Sequence, residues 1–93
     1  MIKQAGNLAE VDGAMTLPGA TALLAEGVTL ISRTTKIFDL AAVAEVDSSA
    51  LAVLFGWMRE AQRLGKSIQV SNPPQDLLSL AEVYGVSELL PLA

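Results

Sequence analysis

The sequence contains no cysteine and no histidine. The first absence excludes a disulfide framework and thiolate metal sites, and the second removes the Ser-His and Cys-His nucleophile pairs and the usual zinc and haem ligands. Basic residues are scarce: six Lys and Arg against ten Asp and Glu give a net charge of -4. Nucleic-acid affinity rests on clustered Lys and Arg, so no nucleic-acid partner is expected. The glycines are isolated, with no G-x-G-x-x-G or GKS/GKT run, so the phosphate cradle of a nucleotide-hydrolysing enzyme is missing. Asp39, Glu45 and Asp47 are the one grouping of carboxylates on which acid-base or Mg²⁺ chemistry could draw. We expect no catalytic role, no metal and no other cofactor. Long apolar runs are absent too. Despite a mean hydropathy of +0.47, the longest, Ala50 to Phe55, falls far short of the roughly 20 residues of a membrane span. Met1-Ile2-Lys3-Gln4-Ala5-Gly6 carries a single positive charge and no apolar h-region, so no secretory signal is expected and the cytoplasm is the expected location.

What is present suits one domain over residues 1–93, with 52% hydrophobic residues and only 4% aromatic ones. Size scaling gives about 5,100 Å² of folded surface against about 14,000 Å² for the open chain, so roughly 64% is buried without cross-links. Two short strands are expected between Asn7 and Leu17, with a hairpin turn at Asp12-Gly13. Pro18-Gly19 breaks the strand, and Leu23, Leu24, Gly27, Val28 and Ile31 recur at helical spacing behind Thr21 as N-cap, predicting a helix over 21–32. Lys36 to Leu40 is apolar on consecutive positions, as in a central strand covered on both faces. Asp47-Ser48-Ser49 offers N-caps to the longest periodic segment, which runs to Leu64 and stops at Gly65. Ser67 to Ser71 reads as a strand, and Leu77, Leu80, Ala81 and Tyr84 mark a third helix ended by Gly85. One further helical turn is expected near Ser87–Pro91. The order β-β-α-β-α-β-α makes two right-handed crossovers, hence an α/β fold with a mixed sheet of four to five strands and helices mainly on one face.

The strongest functional signal is Asp39-Leu40, then Val43, Val46 and Asp47-Ser48-Ser49-Ala50-Leu51. It puts two hydroxyls at a helix N-terminus directly after a strand, where free N–H groups and the dipole favour an anionic group such as a serine phosphate. Asp47 and Ser48 also suffice as plain helix caps. On a helical wheel Ala50, Val53, Leu54, Trp57, Met58, Ala61 and Leu64 form the core face. The opposite face carries Ser49, Ala52, Gly56, Arg59 and Arg63, with Phe55 on its flank. Glycine inside a helix costs about 1 kcal/mol relative to alanine, and a solvated face more usually carries Glu, Lys or Gln. A protein-docking surface accounts for both departures, and a contact with a neighbouring helix is the alternative for Ala52 and Gly56.

At Phe38-Asp39-Leu40, Val43, Val46-Asp47-Ser48-Ser49-Ala50-Leu51 and Gly65-Lys66 the sequence resembles STAS domains, the group that includes bacterial anti-sigma factor antagonists and sulfate-transporter tails. Tyr84-Gly85-Val86-Ser87-Glu88-Leu89-Leu90-Pro91 further resembles the STAS subunits of Mla-type phospholipid-transport ABC systems. The resemblance implies a STAS fold and a non-enzymatic interaction module, in which Asp47 and Asp39 support the motif. The surface at Ser48, Ser49, Ala52, Phe55, Gly56 and Arg59 would bind the ABC ATPase subunit, with membrane association only through that complex. The alternative it implies is an antagonist phosphorylated at Ser49, or at Ser48, by an anti-sigma factor kinase. Antagonist-type members often carry an acidic residue after the glycine that ends the second strand, whereas this chain reads Gly19-Ala20-Thr21. A weaker third alternative is a nucleotide-binding regulatory domain.

Overall fold

The computed structural model describes residues 2–93. Strand β1, Ile2–Ala5, reverses through Gly6-Asn7 into β2, Leu8–Met15, and the two pair antiparallel with Ala5 opposite Leu8. Gly6 has φ +63°, the left-handed conformation that a two-residue hairpin turn demands of its first residue. The reversal thus comes earlier than the expected Asp12-Gly13. That pair lies inside β2, where Gly13 has φ +81° and adjoins a break in register with the next strand. Its positive φ serves a bulge in place of a reversal.

Thr16 leads into a 3-10 turn, Leu17–Gly19, that runs straight into helix α1, Ala20–Ser32. The turn's own backbone bonds, Gly19 N–H to Thr16 O and Ala20 N–H to Leu17 O, do the work of a cap. Thr21 is therefore inside the first turn and is not the N-cap; Gly19 holds that position without a side-chain bond. Strand β3, Ile37–Val46, extends well past Leu40 and takes in Val43 and Val46. Phe38, Leu40 and Val43 are buried while Ala41, Ala42, Ala44 and Glu45 are exposed, so the strand is covered on one face, not two. The adjacent Ile37 and Phe38 made the segment read as covered on both faces, but Ile37 and Asp39 on the outer side are only half-buried.

Helix α2 follows as Ser48–Arg63, then strand β4, Gln69–Ser71, which starts two residues later than expected, and helix α3, Gln75–Val83. A second 3-10 turn, Ser87–Leu89, closes the chain's regular structure. The sheet order is β1-β2-β3-β4, with β2, β3 and β4 parallel. Leu92 adds one parallel bridge beside Val70, the start of a fifth edge. All three helices lie on the face that carries Val11, Phe38, Leu40 and Val70, and the opposite face shows Glu10, Asp12 and Glu45 to solvent.

The core is centred on Trp57, whose ring stacks on Phe38 at 4.1 Å and whose Nε1 donates to Leu24 O at 3.1 Å. Helices α1 and α2 meet through two glycines: Gly27 lies under the Trp57 indole and Gly56 under the end of Leu24. The folded surface, 5256 Å², is close to the scaling value. On α3, Leu77 and Ala81 are buried, but Tyr84 is exposed and not part of the core stripe.

Candidate functional site

The Asp47 carboxylate organises the N-terminus of α2. Its Oδ1 accepts the Ser49 N–H at 2.8 Å and its Oδ2 accepts the Leu17 N–H at 3.0 Å. One side chain thus caps α2 and ties it to the turn that leaves β2, while the Asp47 N–H donates to Met15 O. These bonds hold the carboxyl below its usual range, the Leu17 N–H contributing most; desolvation opposes it, and the Ser49 N–H and hydroxyl add smaller lowering contributions. Ser48 opens the helix, is exposed, and makes no side-chain hydrogen bond to another described residue. Ser49 is half-buried in the first turn.

Next to this motif lies apolar surface. Leu17, whose N–H is fixed by Asp47, is 72% exposed. Val46 shares a shallow cleft of about 340 Å³ with Asp76, Ser79, Leu80 and Val83 of α3, and Val83 is 81% exposed. The sequence reading missed both Leu17 and Val83. Pro18 was the available signal for Leu17, because it takes the chain out of the sheet one residue later; nothing in the α3 periodicity marks Val83.

Along α2 the expected outward face is only partly outward. Ala52 and Arg59 are exposed and Phe55 is half-buried. Arg63 is paired with Glu60 through Nε at 3.0 Å and a second nitrogen at 2.6 Å, so Arg59 is the cation of this face that has no partner among the described residues. Gly56 does not belong to it. A Cβ there would stand 2.6 Å from Leu24 Cδ1, so Gly56 is buried for close approach of α1. Leu51, unplaced by the wheel, is buried as well.

Asp39 is also not brought to the serines. Seven residues of β3 separate it from Asp47, roughly 25 Å along the strand. Its carboxylate accepts from Asn72 Nδ2 at 3.0 Å and from the Ala41 N–H at 3.1 Å, which keeps its pKa low, the Asn72 amide contributing most. Ala41 sits at the first register break between β2 and β3, where an extra residue loses its ladder partner. Asp39 satisfies that N–H and so acts on the strand. Chemically, the Ser48/Ser49 site holds two hydroxyls at a helix N-terminus beside a carboxylate committed to two backbone N–H groups. Such a site can bind a partner or receive a phosphate, but it has no base positioned to activate a nucleophile. Among the described residues no group of three or more acidic side chains is placed to hold a metal ion, and no helix is long and apolar enough to cross a membrane.

Comparison with known proteins agrees with this geometry. The family described as "Mlab, STAS domain" matches residues 3–91. The intermembrane phospholipid transport system binding protein MlaB of Haemophilus influenzae is 33% identical over 58 residues, 62% of this chain and 55% of that protein, so the match spans about half the relative's length. The anti-sigma factor antagonist SpoIIAA, in its unphosphorylated form, superposes with a TM-score of 0.66 at 16% identity over 88% of this chain and 80% of its own. A candidate anti-sigma factor antagonist from Thermotoga maritima superposes with a TM-score of 0.77 at 10% identity, covering 99% of this chain and 83% of its own. These structural likenesses show the fold.

Proposed function

The chain belongs to the STAS domain family, and from that premise we propose that it is a non-enzymatic, cytoplasmic subunit that docks on and regulates the ATPase of an Mla-like lipid-transport ABC complex. The observation that carries this reading is the use of Asp47. Both its oxygens are bound to backbone N–H groups, so the motif is rigid without any modification and presents Ser48, Ala52 and the exposed Leu17 as a constitutive contact surface. A protein surface with a pre-formed apolar centre and a charged rim, here Arg59, is the usual anatomy of an interface. The likeness to MlaB supplies the kind of partner.

Serine phosphorylation is the second reading, favoured by Ser49 in the first turn of α2, where a phosphate would meet the positive end of the helix dipole. The acid closest in the fold, Asp47, would oppose it. The two readings separate on protein purified from its own cells. Co-purification of the ABC ATPase with an unmodified chain supports the transporter subunit. A substantial population about 80 Da heavier that localises to Ser49 and disappears with phosphatase supports the switch.

A further inference from the structure

At the end of the sheet opposite Ser48, the segments that follow α1 and α2 surround an open cavity of about 710 Å³. Asn7, Arg33, Thr35, Lys36, Lys66 and Ser67 are among the residues that line it. Three of the chain's six basic residues meet here in a protein of net charge -4, and no carboxylate lines the space. Lys66 is held in place, its Nζ donating to Ile31 O at 2.9 Å and to Arg33 O at 3.3 Å, where the negative end of the α1 dipole favours a cation. Arg33 and Lys36 make no side-chain hydrogen bond or ion pair with another described residue.

Thr35 supplies an independent observation. It is 2% exposed, and its Oγ1 is the one buried side-chain polar atom among the described residues without a hydrogen-bond partner. Native proteins rarely leave such a group unsatisfied, because its desolvation is then uncompensated. Thr35 is itself among the residues that line the cavity.

We propose that this cavity binds a phosphate group, carried either by a small soluble ester or by an anionic lipid headgroup. Arg33 and Lys36 contribute free charge, Lys66 adds a fixed one, and the Thr35 hydroxyl donates a hydrogen bond. A tetrahedral dianion has enough acceptor oxygens for three cations and a hydroxyl, whereas a carboxylate has two. The site is distinct from the Ser48/Ser49 surface and does not depend on the function proposed above.

The test is an amide NMR titration of the full chain with sodium phosphate at neutral pH, against sodium chloride at matched ionic strength. Saturable shifts at residues 33–36 and 65–67, absent at 48–52 and absent with chloride, are expected. Joint substitution Arg33→Ala and Lys36→Ala should weaken binding tenfold or more. Thr35→Val should also weaken it while leaving the thermal midpoint of the unliganded protein unchanged or higher, since it removes a hydroxyl that has no partner. Co-sedimentation with phosphatidylglycerol vesicles but not with phosphatidylcholine vesicles, lost in the double variant, identifies the headgroup; phosphate binding without co-sedimentation identifies a soluble ester. Absence of saturable shifts, equal shifts with chloride, or wild-type affinity in the double variant overturns the proposal, and wild-type affinity in Thr35→Val removes its hydroxyl from the site.

Discussion

Two glycines decide how closely the first two helices pack, and they are not equivalent. A Cβ on Gly27 would overlap the rigid Trp57 indole, whereas one on Gly56 would press on the movable end of Leu24. Gly27→Ala should therefore destabilise by about 1–3 kcal/mol through overpacking, even though alanine is the better helix former by about 1 kcal/mol. Gly56→Ala should change stability by less than about 1 kcal/mol, because Leu24 can rotate away and the propensity gain offsets the crowding. Urea denaturation of both variants measures the difference, and equal losses would contradict it. Trp57, fully buried and stacked on Phe38, should cost about 3–5 kcal/mol on truncation to Ala, and Leu54 about 2–5 kcal/mol. The inward placement of Leu54 and Trp57 was legible in the sequence, since helical period alone specifies it. The burial of Gly56 was legible only as the alternative to a docking face, a contact with a neighbouring helix, because a wheel drawn for one helix cannot choose between the two.

Among the elements, the order of strands and helices and the ends of α2 and α3 were legible, being written in apolar period and in Asp47, Gly65 and Gly85. The hairpin was not: Gly6 and Gly13 offer the same positive φ, and only the pairing of whole strands tells a turn from a bulge. The hydrogen-bond partner of Asp39 was hidden for a similar reason, as Asn72 is remote in sequence. The junction between the turn after β2 and α2 depends on the Asp47 carboxylate, and its depressed pKa fixes the sign of its pH dependence. Its contribution to stability is fully present above the unfolded value of about 3.9 and is lost as pH falls through the lower folded value. Asp47→Asn, which still caps but carries no charge, should lower the thermal midpoint at neutral pH and show a shallower decline between about pH 4 and pH 2 than the wild type. Parallel declines in a pH-resolved thermal melt would mean that the carboxylate is not what couples the two elements.

For the molecule as a whole, the STAS fold leaves the two ends of the sheet with different surfaces. The end where β2 and β3 finish carries hydroxyls, the exposed Leu17 and the start of α2; the other carries the basic cavity. The general location of the first was legible in Asp47-Ser48-Ser49, while its apolar surroundings came only from the fold, since Leu17 and Val83 are far apart in the chain. On the function proposed above, the α2 N-terminal surface docks a transporter ATPase, and Ala52 is the exposed small residue on it. A charged side chain there should obstruct a partner without entering the core. The most direct measurement is the yield of that ATPase co-purified with wild-type and Ala52→Glu protein of equal thermal midpoint. Retention by the wild type and a loss of tenfold or more with the variant are expected; full yield with a correctly folded Ala52→Glu protein would contradict docking at this surface.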